Sequence, residues 1–109
     1  MEHEHCVVYV TCPNHDSGEA VASALVDQKL VACVNVIDGV TSLFHWEGRV
    51  DRDPEVLLVI KTRTNLLQAV EECVAEVHPY DVPEVIALPI IGGSRKYLDW
   101  IDESVENRT

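Results

Sequence analysis

The sequence is poor in positive charge. Eight lysines and arginines stand against nineteen aspartates and glutamates, a formal net charge of −11 at pH 7. A field of that sign repels phosphate backbones, so nucleic acid is excluded as a natural partner. It draws cations to the surface and keeps the chain soluble. No run of about 18 apolar residues is present, and the N-terminus lacks a charged–apolar–small pattern. Neither a membrane span nor a signal peptide is therefore read, and a cytoplasmic location is expected. The four cysteines, Cys6, Cys12, Cys33 and Cys73, have no C-x-x-C spacing and sit in apolar runs. They read as reduced small hydrophobes rather than a disulfide framework.

What is present is a well-stocked interior. Hydrophobic residues make up 47% of 109, enough for one packed domain that needs no metal in order to fold. Met1 to His5 form a polar, flexible tail, leaving 6–109 as the single domain. The dominant feature is the stretch from Val31 to Lys61. Two arms rich in Val, Ile, Thr and aromatics flank a turn at Glu47-Gly48-Arg49, a hairpin signature. Asp38-Gly39 interrupts the first arm and Asp53-Pro54 the second, and a bend or bulge is expected at both. At about 3.3 Å per residue the first arm reaches roughly 50 Å. A compact domain of this size is only about 35 Å across. The far half of the hairpin must overhang, and Val40, Leu43, Phe44 and Trp46 on it need cover. Pairing with neighbouring copies of the chain supplies that cover.

The rest of the chain alternates around this hairpin. Cys6 to Cys12 reads as a strand ended by Pro13. Asp16 with Glu19 resembles a capping box for a helix to about Lys29, with Val21, Ala24 and Leu25 inward. Val56 to Ile60, apolar throughout, reads as a strand covered on both faces. Asn65 with Gln68 opens a second helix with Leu66, Val70, Cys73, Val74 and Val77 in one stripe, and Pro79 stops it. Val85 to Ile91 is a last strand. Ser94 then caps a closing helix that buries Tyr97, Leu98, Ile101 and Val105. The order predicts an α+β, ferredoxin-like βαββαβ fold. Its antiparallel sheet carries helices on one face, a long central hairpin and an extra C-terminal helix.

Several stretches resemble the CutA divalent-cation tolerance family. They are Lys29 to Gly48 (K-L-V-A-C-V-N-V-I-D-G-V-T-S-L-F-H-W-E-G), Glu55 to Thr62, His78-Pro-Tyr-Asp-Val-Pro-Glu-Val-Ile-Ala-Leu-Pro89 and Tyr97-Leu-Asp-Trp100. The likeness spans nearly the whole chain after the tail. It implies a homotrimer related in shape to the PII signalling proteins, with long hairpins pairing between subunits. It also implies a role in tolerance of copper and other divalent cations. Members described as binding copper use a cysteine near the end of the first strand and two consecutive histidines before the Pro-Tyr. Here Val10 and Val77 occupy the cysteine and first-histidine positions, and His78 remains. Cys12, two residues along the strand, lies on the same face as Val10.

The candidate metal ligands are therefore His78, Cys12 and Glu84, with His45 as a further donor. Thiolate with imidazole suits copper, or less readily zinc. A structural cap on its helix is the plainer reading of His78. His3, third from the amino terminus, makes a second candidate for Cu(II). The amine, two backbone amides and the imidazole form a square-planar nitrogen set, with His5 beside it. An ordinary polar tail is the plainer reading. Lys61, Trp46, Glu47, Tyr80, Tyr97 and Trp100 read as lining a cleft or interface between subunits. Gly92-Gly93-Ser94-Arg95-Lys96 has weak phosphate-site character, though a turn and a cap explain it. No nucleophile motif surrounds Cys12, so no catalytic residue is assigned and an enzyme is not the reading. The function expected is a cytosolic homotrimer that binds copper or another divalent ion. The alternative is a trimeric PII-like sensor or scaffold whose cleft takes a small metabolite or a partner protein.

Overall fold

The computed structural model describes residues 3–107. Strand β1 is His5–Cys12, helix α1 His15–Asp27, β2 Cys33–Trp46 and β3 Arg49–Arg63. A 3-10 turn at Thr64–Leu66 leads into α2, Leu67–Val77, and then come β4, Ile86–Pro89, and α3, Arg95–Ser104. The sheet order is β2-β3-β1-β4 with every neighbour antiparallel. That is the ferredoxin-like arrangement, as the element order predicts.

Local chemistry places the helix ends. The side chain of Asn14 accepts from the Ser17 N–H at 2.8 Å, so Asn14 caps α1 and Asp16 lies within its first turn rather than opening it. At the other end Lys29 adopts φ +56°. The Leu30 and Lys29 N–H groups reach back to the carbonyls of Leu25 and Val26 at 3.1 and 3.0 Å. This paired closure satisfies two orphan carbonyls and turns the chain toward β2.

One sheet face is sealed by α1 and α2. Val8, Val10, Leu58 and Ile60 meet Val21, Leu25, Val70 and Val74 in a single buried cluster. Val77 falls outside it at 38% exposure, because the helix ends there and the chain turns away. All four cysteines are free thiols, three of them buried. β3 alternates buried and half-buried from Val56 to Arg63, so its expected two-sided cover is one-sided within this chain. Cross-strand register sets Cys33, Lys61, Val7 and Leu88 in one row, and Asn35, Val59, Tyr9 and Ile86 in the next, on the face away from α1 and α2.

The hairpin is as long as the sequence demands. Glu47 and Gly48, at φ +50° and +80°, make a two-residue turn of the mirror-image kind that matches strand twist. β1 covers β3 only as far as Val56, so among the described residues the arms from Val40 to Glu55 pair with each other alone. The molecule is drawn out to 44 × 26 × 23 Å. The first arm bulges as expected: between the Ile37–Leu57 and Val40–Glu55 pairs, Asp38 and Gly39 face Val56 alone. Gly39 takes φ +81°, a conformation that suits glycine. The second arm does not bulge. The register passes through Asp53 and Pro54 unshifted, since a proline is tolerated where one side of its strand has no partner.

Candidate functional site

The residues singled out in the sequence fall in three places. The first lies where β1 ends and α2 hands over to the segment before β4. His78 closes α2 with an extended backbone and is buried. Its Nε2 lies 2.7 Å from the carbonyl oxygen of Thr11, and its Nδ1 accepts the Tyr80 backbone N–H at 3.1 Å. A carbonyl only accepts and an amide N–H only donates, so the contacts specify the tautomer with hydrogen on Nε2. In this conformation neither ring nitrogen has a lone pair free for an ion. The ring also packs on Tyr80, with centroids 4.9 Å apart.

Cys12 is fully buried at the end of β1. Burial, reinforced by the Glu55 carboxylate, pushes its thiol up to about 11, far from the thiolate that metal ligation needs. The Tyr80 phenol lies 3.5 Å from Glu55 Oε2. Burial first, then the Glu55 and Asp53 carboxylates, hold it above its ordinary range. Glu84 is exposed in the segment leading to β4, and His45 is exposed near the hairpin tip. Among the described residues, no three His, Cys, Asp or Glu side chains converge to hold a metal ion.

The second place is the opposite end of the sheet. The Lys61 ammonium bonds to the Asn35 side-chain oxygen, and Lys61 pairs with Cys33 across β2 and β3. Tyr97 and Trp100 of α3 stack at 5.4 Å. Burial and the nearby Cys33 thiol hold the Tyr97 phenol above its ordinary range, which puts α3 beside this row. Tyr97 is 43% exposed and Leu98 only half-buried, so of the expected inward residues Ile101 in the helix and Val105 at its cap are buried. The third place is the hairpin turn, where Trp46 faces Arg49 and Glu47 occupies the turn itself. Thirteen residue steps of strand separate Trp46 from Cys33, roughly 43 Å. Within one chain, then, the cleft residues divide among Lys61 with Tyr97 and Trp100, Tyr80, and Trp46 with Glu47.

His3 borders a shallow hollow with Cys6, Leu67 and Pro89, while Met1 and Glu2, which the copper arrangement at the amino terminus also needs, lie outside the described residues. His5 is no part of a loose tail. It opens β1, is 8% exposed, and donates from Nε2 to Asp102 Oδ1 at 2.8 Å, with Arg63 on the same oxygen. That node escapes sequence reasoning because nothing local links positions 5, 63 and 102. A second node, His15 with Glu19 and Asp38, does leave a trace: His15 and Glu19 are four apart on one helix face.

The fold and the open sheet face define a ferredoxin-like protein with an elongated central hairpin. No helix among the described residues is long and apolar enough to cross a membrane. Residues 6–104 match the family model described as CutA1 divalent ion tolerance protein, and the chain belongs to that family. The chloroplastic CutA protein of Arabidopsis thaliana is 54% identical over 101 residues, 93% of this chain and 56% of that protein. The divalent-cation tolerance protein CutA of Thermus thermophilus is 46% identical over 98 residues, 90% of this chain and 95% of that one. The crystal structure of CutA1 from Oryza sativa superposes with a TM-score of 0.94 at 49% identity, covering 99% of this chain and all of that one. The chain spans a little over half the length of its curated plant relatives.

Proposed function

We propose that this protein serves divalent-cation tolerance as a cytosolic homotrimer that takes up copper ions, with zinc as a weaker second. Family membership supports the cation role. The observation that carries the assembly is the hairpin, whose arms run beyond the cover of β1 at Val56 and expose Leu43, Trp46 and Val50 by 64, 57 and 62%. Together with the bare face bearing Ile86 and Leu88, this is apolar strand surface of the kind that copies of a chain bury against one another. Three copies arranged head to tail bring the Trp46–Glu47 turn of one to the Tyr80 or Lys61 region of the next. Copper ligation by His78 requires the ring to give up its bond to Tyr80, and ligation by Cys12 requires the thiol to lose its proton.

Sedimentation equilibrium tests the assembly: three subunit masses, stable on dilution, is the expected result, and a lone subunit overturns it. Calorimetric titration with Cu(II) and Zn(II) tests the ion, using the wild type, His78→Ala and His3→Ala. Heat lost only in His3→Ala assigns the ion to the tail. A second reading, a PII-like sensor with a small metabolite in the intersubunit cleft, draws on Lys61 lying in the same row as Cys33, beside the Tyr97–Trp100 pair. A stable trimer that gives no heat with either ion favours it.

A further inference from the structure

His15 is the first residue of α1, and its ring lies between two carboxylates from different elements. Nδ1 is 2.8 Å from Asp38 Oδ1 on β2, and Nε2 is 3.1 Å from Glu19 Oε1 one turn along α1. Both partners accept only, so both nitrogens must carry hydrogen for the pair of bonds to exist. That is the imidazolium. A neutral ring satisfies one carboxylate and turns a lone pair on the other. The partners lie on opposite sides of the ring, so the three groups cannot close around one metal ion without breaking this arrangement.

The position matters more than the bonds themselves. Asp38 is half of the bulge, and the bulge faces Val56, the last residue of β3 that β1 covers. His15 thus ties the rigid helical layer to the point where the hairpin leaves the domain. Asp38 and Glu19 are the charged groups acting on the ring. On the far side of the bulge β3 presents the apolar Val56. Among the described residues, β1 and α2, which also pack on α1, add no charge that acts on the ring. The start of a helix disfavours a cation, and the two carboxylates outweigh it. The Asp38 bond first, then the Glu19 bond, hold the imidazole above its ordinary 6.5.

We propose that His15 is a proton-operated brace on the hairpin root: charged, it clamps the Asp38 bulge to α1, and neutral, it lets the arms pivot. His15, Asp38 and Glu19 all lie on one chain, so the clamp itself needs no second copy. Because the group's folded value is raised, the brace is complete below the ordinary value of 6.5. It is lost as pH climbs above 6.5 through the higher folded value.

The test is an NMR titration of the His15 ring in the full chain, alongside hydrogen exchange of peptides covering 38–55 corrected for the intrinsic pH dependence of exchange. The ring should titrate above 6.5, and Asp38→Asn and Glu19→Gln should each lower its midpoint. Protection across 38–55 should fall about threefold as the ring loses its proton, as expected for an exposed ion pair. His15→Gln should abolish that pH step. A wild-type ring that titrates at or below the ordinary value, or a step that persists in His15→Gln, overturns the proposal. Both carboxylate variants change only exposed side chains, so they report even if His15→Gln folds poorly.

Discussion

The imidazole of His78 donates to the main-chain oxygen of Thr11 across 2.7 Å, and the same ring accepts the Tyr80 amide at 3.1 Å. One side chain thereby satisfies backbone groups from the end of β1 and from the segment after α2. The histidine of the H-P-Y stretch is in this state a tether, with both of its nitrogens committed.

Removing the tether strands those two backbone groups. His78→Ala should destabilise the protein by roughly 1 kcal/mol, the net worth of hydrogen bonds to partly buried backbone groups. Urea unfolding of a reversible preparation measures it, and an unchanged midpoint contradicts the tether.

Cys12 should be a slow thiol. With its value pushed to about 11, its thiolate fraction at pH 8 is about a hundredfold smaller than that of a thiol at the ordinary value of 9.0. Alkylation with iodoacetamide, followed by mass spectrometry of the Cys12 peptide, should show a correspondingly slow rate. Reaction at the pace of a free thiol contradicts the buried environment.

Asp102 predicts an acid-limb effect. Its burial raises the carboxyl, but the His5 and Arg63 bonds outweigh that and hold it below its ordinary 3.8. The contribution is therefore present above pH 3.8 and lost as pH falls through the lower folded value. Thermal melts should show Asp102→Asn less stable than wild type at neutral pH, with the gap closing below about pH 3.8. A gap of constant size would remove Asp102 as the titrating group.

The bulge gives a backbone prediction. Gly39 sits at φ +81° with open space around it, so an added methyl meets no neighbour and the cost is conformational alone. Gly39→Ala should destabilise by about 1 kcal/mol and Gly39→Asn by less, because asparagine tolerates left-handed backbone. Denaturant midpoints of the two variants should fall in that order.

Much of this architecture was legible in the residues. The arms of the hairpin declare themselves by β-branched content, the turn by Glu47-Gly48, and the bulge by Asp38-Gly39. These are local signals, each set by neighbouring backbone chemistry. Asp53-Pro54 carried the same kind of signal and produced no irregularity, because the effect of a proline depends on whether its open side meets another strand. Val77 and Tyr97 followed helical spacing yet stayed half-exposed, since spacing cannot say where a helix outruns the layer beneath it. His5 illustrates the harder limit. A polar stretch beside the chain terminus reads as solvent-facing, while the partner that holds it lies 97 positions away.

The outer border of β3 beyond Val56 has a further consequence. Asp51, Arg52, Asp53 and Pro54 lie along it in sequence, where among the described residues no strand pairs on that side. Charge and proline are what natural sheets place where indefinite strand addition would be harmful. The long ribbon therefore carries its own guard against fibril growth: it can lie beside a shaped, complementary surface, but it offers a poor template for stacking one molecule after another without end.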